Sequence, residues 1–550
     1  MRAGVRSAAA LAVALGMLAA GCSKASENTG NESTLDTTAA GSLQLDWVLE
    51  QPVEVQSGGK LAFGLNAESD GWNVTSSRWA GSAYIVGSAI FDPLAAYNTE
   101  YEPQPYLAES ITPNDDFTVW TIGLRSGVNF QDGTAVNAAA VVKNLKAHQV
   151  SLLTAPTMDY ILPDGITAKD DLTVEVAMRL PWSTFPHLLT VQPGYVMAPS
   201  MMDAPDGGVR NPVGSGPFTF ERWVTDSELT VDKNPNYWRE GLPLLDNIEF
   251  QVIKDVQTRG RALETGAIDI MESGDAIQIA RFAGLAAKGD VQMYGDDNGE
   301  NSETFIALNT TQPPFNDPLA RQILAYGTDT KALSQAAYDG YFPPADGMFA
   351  ENSPYYIETD YPEYDLAKAT ELHEQWKAAH NGEPLAFKAN ITPTPEIQNI
   401  AQTLQQQANL AGVEVTLNTM DQPKLIVDAV SRTYEATGFI LFGAPTPDRE
   451  SVFFMNEPEG SFLNITGIDN PNIVAAMETA RATDDKAAQI EQYKVVQQEM
   501  AKDLNFIWLV HNLSAIIFQN NVFGVADTTL PDGAAGGRTI TPFLTEAWIQ

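Results

Sequence analysis

Apolar and polar residues alternate with a period of two in several short stretches of this chain. The alternation predicts strands at Lys60–Leu65, within Phe117–Leu124 and at 248–252, because successive apolar side chains then fall on one face. In the second stretch, Trp120, Ile122 and Leu124 share that face. Shorter strands are predicted at 268–270 and 413–417 by the same alternation.

Other stretches have the apolar spacing of an amphipathic helix, together with start or stop signals. The start signals are Asn137 and either Asp484 or Asp485, and the stop signals are Gly266 and Gly412. Strand, helix and strand follow one another at this spacing, which predicts α/β lobes with partly parallel sheets. The positions that share a helix face are Val141, Leu145 and His148; Val256, Arg259 and Leu263; Ile397, Ile400, Leu404 and Ala408; and Ile490, Tyr493 and Met500.

Length and charge narrow the classes of protein that fit. The chain has 550 residues, 44% of them apolar, which is ample for a core and too many for one, so we expect about two to four structural units. The net charge of −38, with 70 acidic and 32 basic residues, argues against nucleic acid as a partner and against a basic patch for anionic lipid. We interpret the charge as a highly soluble surface.

The first residues have the pattern of a secretory signal peptide. Two arginines precede an apolar run from Ala8 to Ala20, and Cys22, the only cysteine, follows Gly21. As a helix the run reaches about 20 Å, short of the ~30 Å core of a bilayer. Residues 18–22 resemble a bacterial lipoprotein box, which implies that the Cys22 thiol is lipidated; the alternative is an ordinary signal peptide with an incidental cysteine. The Ser/Thr/Asn/Ala/Gly-rich residues after Cys22 predict a flexible tether.

Catalytic signatures are missing from the sequence. There is no G-x-S-x-G elbow and no Walker loop, and His373-Glu374 continues as Gln-Trp-Lys, which breaks the H-E-x-x-H zinc pattern. The five histidines are too scattered to indicate a metal cluster, so we expect neither metal nor cofactor. A glycosidase-type pair of carboxylates stays open, because acidic residues are abundant. The missing signatures favour a binding function for this chain over an enzymatic one.

Seven short motifs occur in a fixed order along the chain. Within them, Asp132-Gly133 predicts a turn, Gly214 and Gly216 predict close passage of two backbone segments, and Tyr237-Trp238 predicts packing. The motifs lie at 90–94, 105–110, 120–133, 211–218, 234–238, 262–269 and 313–329. In this order they resemble the family 5 extracellular solute-binding proteins, the oligopeptide, dipeptide and nickel receptors of ABC importers. The resemblance covers about residues 57–530.

This resemblance implies a periplasmic-binding-protein-like α/β clamp. Two lobes joined by two crossing strands enclose the solute, and an extra subdomain is inserted in the first lobe. The crossings are expected near Leu308-Asn309-Thr310 and His511-Asn512. The implied division is 1–21 signal peptide, 22–56 lipid-anchored tether, 57–96, 206–309 and 512–550 first lobe, 97–205 inserted subdomain, and 310–511 second lobe.

Ligand contacts are implied in both lobes. In the first lobe, Asp70, Trp72 and Asn73 follow the strand Lys60–Leu65, and Trp72 offers an aromatic wall. In the second, residues 440–444, including Phe442, Gly443 and Ala444, match the strand that pairs with an extended peptide in this family. Asn309 at the first crossing completes the implied contacts.

The sequence departs from the peptide-binding pattern after that strand. Peptide-binding members carry an aspartate there that pairs with the α-ammonium group of the ligand, and this chain has Pro445 at that place. A buried ammonium without a carboxylate is costly, so Asp448 or Asp70 is the expected substitute. Arg449 offers a partner for a ligand carboxylate or phosphate, or forms a surface salt bridge.

We therefore predict a non-enzymatic, monomeric substrate-binding lipoprotein of an ABC importer. It would capture a peptide or similar small solute and deliver it to permease and ATPase subunits. Its place would be the outer face of the bacterial cytoplasmic membrane or a periplasm-like space, held through Cys22 alone. Two alternatives stay open: a secreted hydrolase with a cleft carboxylate pair, and a ligand-sensing surface receptor.

Overall fold

The computed structural model describes residues 43–52, 54–151, 153–295, 302–441, 443–456 and 463–550. The predicted signal peptide, Cys22 and most of the predicted tether lie outside the described residues, and so does Phe442. Within the described ranges, no helix has the length and apolar character that a bilayer crossing requires.

The strands are short. In chain order they are β1 Lys60–Leu65, β2 Ala95–Tyr97, β3 Pro103–Pro105, β4 Ala108–Pro113, β5 Val119–Leu124, β6 Ile161–Ala168, β7 Thr173–Met178, β8 Phe218–Val224, β9 Glu228–Lys233, β10 Asn247–Val252, β11 Ile270–Ser273, β12 Gln292–Gly295, β13 Glu303–Leu308, β14 Ala386–Ile391, β15 Glu414–Thr419, β16 Ala436–Leu441, β17 Phe506–His511, β18 Ala515–Phe518, β19 Val522–Phe523 and β20 Trp548–Ile549.

Helices alternate with these strands. The α-helices are α1 Gly81–Ile90, α2 Ala138–Gln149, α3 Pro199–Met202, α4 Val256–Glu264, α5 Ala276–Ala286, α6 Pro318–Gly327, α7 Thr330–Tyr338, α8 Leu366–Ala379, α9 Pro395–Leu410, α10 Gln422–Val430, α11 Pro447–Glu450, α12 Pro471–Arg481 and α13 Lys486–Asp503. Short 3-10 helices lie at Ala155–Met158, Phe185–Thr190, Gln192–Gly194 and Ser451–Phe453.

Two mixed sheets carry most of the strands. The seven-stranded sheet has the order β12-β18-β11-β1-β10-β9-β8, and the five-stranded sheet has the order β15-β14-β16-β13-β17. In the first sheet β1 runs parallel to β10 and β11, and in the second β14 runs parallel to β15 and β16. Helices cover these sheets, as expected for parallel strands that are buried on both faces.

A third, four-stranded sheet has the order β4-β5-β7-β6 and is antiparallel throughout. Its buried residues, including Trp120, Ile122 and Leu124, belong to the same apolar core as those of β1 and β10. Separate clusters of buried residues line the two faces of the five-stranded sheet.

The predicted crossings lie beside strands of the five-stranded sheet. Glu303–Leu308, just before the predicted crossing at 308–310, pairs with β16 on one side and with β17 on the other. β17 ends at His511, beside the second predicted crossing, and β18 of the seven-stranded sheet begins at Ala515. The division of the chain into lobes stays a prediction.

Local signals set the helix ends as predicted. The Asn137 side chain accepts a hydrogen bond from the Ala140 N–H at 2.9 Å and caps α2, and Asp485 caps α13 through the N–H groups of Ala487 and Ala488. Gly266, at φ 71°, follows α4. β11 begins only at Ile270, because the Ala267 and Ile268 N–H groups bond back to the Ala262 carbonyl at the end of that helix.

Three of the sequence motifs converge on one buried carboxylate, that of Asp92. Ser215 Oγ and Trp238 Nε1 each donate to its Oδ2 at 2.9 Å, and Tyr237 OH donates to its Oδ1 at 3.0 Å. Burial raises the pKa of Asp92 to about 6, although these three donors and Arg239 act in the opposite direction. The motifs therefore carry architecture, and Tyr237 and Trp238 do more than pack.

Glycine is required where the segment around Ser215 passes α1. A Cβ atom on Gly216 would lie 2.5 Å from the Ile90 carbonyl carbon and 2.8 Å from the Phe91 nitrogen, both backbone atoms. We expect Gly216→Ala to lower the free energy of unfolding by about 1–3 kcal/mol, because two packed backbones must separate. Chemical denaturation measures this.

Gly284 provides the matched control for that substitution. It lies within α5, and a Cβ atom there has no neighbour within 4 Å. Gly284→Ala should leave stability equal or raise it by about 0.5–1 kcal/mol, since alanine is the better helix former. Equal behaviour of the two variants would contradict the close-passage argument.

Candidate ligand-binding site

A short charged helix, α11, lies directly beyond the carboxyl end of β16. β16 and its neighbour β14 run parallel, and ligands of open α/β sheets bind outside the carboxyl ends of such strands. Pro447 occupies the first helical position, which proline favours because its missing N–H would be unpaired there. Asp448, Arg449 and Glu450 follow, so three ionisable residues are consecutive in this helix.

Asp448 is buried, with 5% of its surface exposed, and three side chains donate to it. Trp182 Nε1 reaches Oδ2 at 2.9 Å, Thr184 Oγ1 donates to the same oxygen, and Arg481 Nε donates to Oδ1. Burial disfavours the charged carboxylate, but Arg481 and the two neutral donors outweigh it, so the pKa of Asp448 lies below its usual value.

Arg481 joins this group to further elements. Its guanidinium lies 4.1 Å from the centre of the Tyr160 ring, and its Nη2 donates to Ser451 Oγ at 2.7 Å. Its carbonyl oxygen accepts a hydrogen bond from the Ser183 N–H at 2.8 Å. We call Asp448, Arg481, Trp182 and Thr184 the Asp448 clasp, because they connect α11 and α12 to the segment before the 3-10 helix Phe185–Thr190.

Glu450 differs from Asp448 although only one residue separates them. It is 7% exposed, and among the residues that the structure describes none donates a hydrogen bond to its carboxyl group. Burial raises the pKa of Glu450 to about 7, and the charge of Arg449 acts in the opposite direction. The two carboxyl groups of this helix therefore differ in environment: Asp448 is held by three donors, and Glu450 is buried without a donor among the described residues.

Arg449 lies within electrostatic reach of two side chains outside the five-stranded sheet. Burial raises the pKa of Tyr84, on α1, while the charge of Arg449 lowers it. Burial lowers the pKa of His187 to about 3, and the charges of Lys486 and Arg449 act in the same direction. His187 is therefore neutral, with its Nδ1 at 3.2 Å from Tyr97 OH.

The three residues after β1 that were predicted to contact the ligand, Asp70, Trp72 and Asn73, form hydrogen bonds or ring contacts with other residues of the protein. Asp70 is exposed and accepts hydrogen bonds from the backbone N–H and the Nε of Arg78, both at 2.8 Å. Trp72 is 2% exposed and meets the Trp79 and Trp223 rings edge to face. Asn73 Nδ2 donates to the Gly207 carbonyl at 2.6 Å.

Asn309 is also tied into its surroundings. It is buried, and its Nδ2 donates to the carbonyl oxygens of Arg432 and Tyr434 at 2.8 and 2.7 Å. β16 ends at Leu441, so the predicted strand does not extend to Gly443 and Ala444, which stand between it and α11. Gly443 is half-buried and Ala444 is buried.

Several residues of this region were not found by sequence reasoning. Trp182, Thr184 and Arg481 are far from Asp448 along the chain, so no local spacing relates them. Glu450 is one of 70 acidic residues, and its burial is its distinguishing property. Across the described ranges, no group of three or more His, Cys, Asp and Glu side chains is arranged to hold a metal ion.

Comparison with known proteins gives concordant matches. Residues 102–460 match the family described as "Bacterial extracellular solute-binding proteins, family 5 Middle". The glutathione-binding protein GsiB of Pectobacterium atrosepticum is 27% identical over 449 residues, which are 77% of this chain and 83% of that protein. GsiB of Salmonella typhimurium is 28% identical over 442 residues, covering 77% and 84%.

Solved structures agree in fold. AgaA of A. tumefaciens R10 in complex with agropinic acid superposes with a TM-score of 0.77 at 23% identity, over 90% of this chain and 99% of that one. DppA from Helicobacter pylori in complex with the peptide STSA gives a TM-score of 0.75 at 21% identity, over 90% and 98%. These likenesses confirm the predicted fold class, a two-lobe α/β clamp.

Proposed function

The chain belongs to family 5 of the bacterial extracellular solute-binding proteins, and from this premise we propose that it captures a peptide or peptide-like solute for an ABC importer. The members of this family are binding components of transport and not enzymes. The observation that carries the proposal is the environment of Glu450 on α11. Its side chain is buried, and no described residue donates a hydrogen bond to its carboxyl group. Such a group is suited to contact a solute.

The proposed clamp follows the sheets. The first lobe contains the seven-stranded sheet, 57–96, 206–295 and 512–550, with 97–205 inserted, and the second contains the five-stranded sheet, 303–511. The return of the chain to the seven-stranded sheet, between His511 and Ala515, forms part of the hinge, since a few residues are enough to absorb the rotation. A solute that contacts both lobes favours the closed form by its differential affinity, and the closed form is recognised by permease and ATPase subunits.

The proposed contacts are concentrated around α11. Gly443, Ala444 and Arg449 border the solute, and Phe442 and Asp70 remain contact candidates. The hydrogen bonds and ring contacts of Trp72, Asn73 and Asn309 favour supporting roles for these three. The same reasoning assigns Asp448 to the clasp, because each of its oxygens already accepts a hydrogen bond.

We also propose that Cys22 carries the lipid that holds a monomer at the outer face of the cytoplasmic membrane. The proposal rests on the apolar run and the lipoprotein-like box before it. Labelled palmitate should enter the wild-type chain and fail to enter Cys22→Ala.

The test of solute capture is calorimetric titration of the purified protein with glutathione and with a panel of di- to pentapeptides. We expect saturable one-to-one binding of at least one member. Small-angle scattering with that member should show a smaller radius of gyration than without it, because the lobes close. Binding of none of them, with a scattering profile that no solute changes, would contradict the proposal.

A further inference from the structure

An apolar cavity lies between the five-stranded sheet and two of the helices that cover it, α6 and α9. Its volume is about 80 Å³, and its lining is mostly aliphatic and aromatic. Ile323 on α6, Ile400 on α9 and Phe387 on β14 contribute to the lining, and all three belong to the buried core on this side of the sheet. Among the described residues that line the cavity none belongs to α11, so it is separate from the proposed solute contacts.

Small residues leave this space, and one of them lies where it meets solvent. Ala408 on α9 and Gly438 on β16 both line the cavity, and Gly438 is exposed. A Cβ atom on Gly438 would have a single neighbour within 4 Å, the Phe305 carbonyl oxygen at 3.8 Å. The cavity can therefore be reached at Gly438, and a larger side chain there would enter free space.

The polar side chains of the lining use their donors within the protein. Thr304 Oγ1 donates to the Asn512 side chain at 2.9 Å, and Thr328 Oγ1 and Gln405 Nε2 donate to main-chain carbonyl oxygens at 2.8 and 2.7 Å. A buried water molecule needs about two to four polar partners. This lining is therefore better suited to an apolar occupant than to water.

We propose that the cavity binds a compact, uncharged apolar molecule, such as a small hydrocarbon. An apolar cavity of about 150 Å³ takes benzene or xenon, so a cavity of about half that volume should take xenon or a hydrocarbon of about three carbon atoms. The occupant supplies the dispersion contacts that the lining side chains lack when no atom faces them. This site is additional to the proposed solute site and goes beyond the proposed function.

Methyl NMR of the full chain, labelled at isoleucine, tests the site with xenon dissolved under pressure. We expect saturable shifts for the methyl groups of Ile323 and Ile400, which line the cavity, and none for Ile270 in the core of the seven-stranded sheet. Propane and ethanol, equal in their number of heavy atoms, then test the ligand class. Propane should bind at least about tenfold more tightly, because the ethanol hydroxyl would lose its hydrogen bonds to water.

Two substitutions that fill the cavity locate the xenon. Gly438→Val and Ala408→Leu should each abolish the shifts of Ile323 and Ile400. Gly438→Val should leave the unfolding midpoint unchanged or higher, since valine favours strands and meets no close neighbour there. Ala378→Leu, an exposed substitution on α8, serves as the matched control and should keep the wild-type shifts.

The proposal is overturned if xenon causes no saturable shift of the lining isoleucines in wild type. Equal shifts in wild type and Gly438→Val would place the xenon elsewhere and overturn it as well. Ethanol that binds as tightly as propane would overturn the apolar ligand class. The comparison of propane with ethanol uses wild type alone, so it decides even if a filling variant fails to fold.

Discussion

Replacing Arg481 by methionine should lower the free energy of unfolding by about 3–5 kcal/mol, the largest stability effect that we expect from a single side chain here. The substitution removes the one charged donor of the clasp and leaves the Asp448 carboxylate buried with two neutral donors. The Ser451 hydroxyl and the Tyr160 ring lose their contacts at the same time. Denaturant unfolding followed by tryptophan fluorescence measures the change.

Two further variants make this result specific. Lys254→Met breaks an ion pair with Asp226 whose two side chains are 64% and 68% exposed, and it should leave the unfolding midpoint close to that of wild type. Adding Asp448→Asn to Arg481→Met should recover part of the loss, because the uncompensated charge is then gone. A loss in Arg481→Met no greater than that in Lys254→Met would show that the clasp contributes little.

The clasp joins parts of the chain that the proposed closure brings together. Trp182 and Thr184 belong to the proposed inserted subdomain, whereas Asp448 and Arg481 belong to the proposed second lobe. The hydrogen bonds of the Asp448 clasp therefore stabilise the proposed closed form. Glu450 lies two residues after Asp448 in the chain. We interpret the two carboxylates as having different roles. Asp448 binds Trp182, Thr184 and Arg481 within the protein, and Glu450 is available to the solute.

Local structure could be predicted from the sequence because its causes are local. The alternation around Trp120 and the cap at Asn137 act within one strand or one helical turn, and both appear as predicted in β5 and α2. The fold class could also be predicted, because seven motifs in a fixed order are specific for a family, although each motif alone is a weak indication of it. Those motifs identified the fold largely through architectural residues such as the donors to Asp92.

Contacts between distant segments could not be predicted in the same way. Residues 303–308 are one example, because only their pairing with β16 and β17 assigns them to the five-stranded sheet. Asp448 was noticed for its charge, but its role depends on Trp182, 266 residues away. Glu450 had no signal at all, since burial distinguishes it and burial is a property of the fold.

Affinity for an ammonium-bearing peptide should fall about 50-fold between pH 7 and pH 5 if Glu450 is its receptor, because the ionised fraction of a group with a pKa of about 7 falls by that factor. Burial raises the pKa of Glu450 to about 7 in the free protein, and an ammonium partner favours the charged form, so the pKa falls on binding. The carboxyl group must then release a proton to bind, and below pH 7 each unit of pH weakens binding about tenfold. Above about pH 8 the ligand loses its own proton, so affinity has a maximum between these values.

Calorimetric titration at half-unit steps from pH 5 to pH 9 measures this profile. Glu450→Gln should remove the acid limb and keep the alkaline one, because the ligand still titrates. His187 does not produce the acid limb, since its pKa of about 3 keeps it neutral throughout, and Arg449 stays charged. An acid limb that persists in Glu450→Gln would assign the proton to another group, and a flat profile in wild type would contradict an ionised Glu450 in the complex.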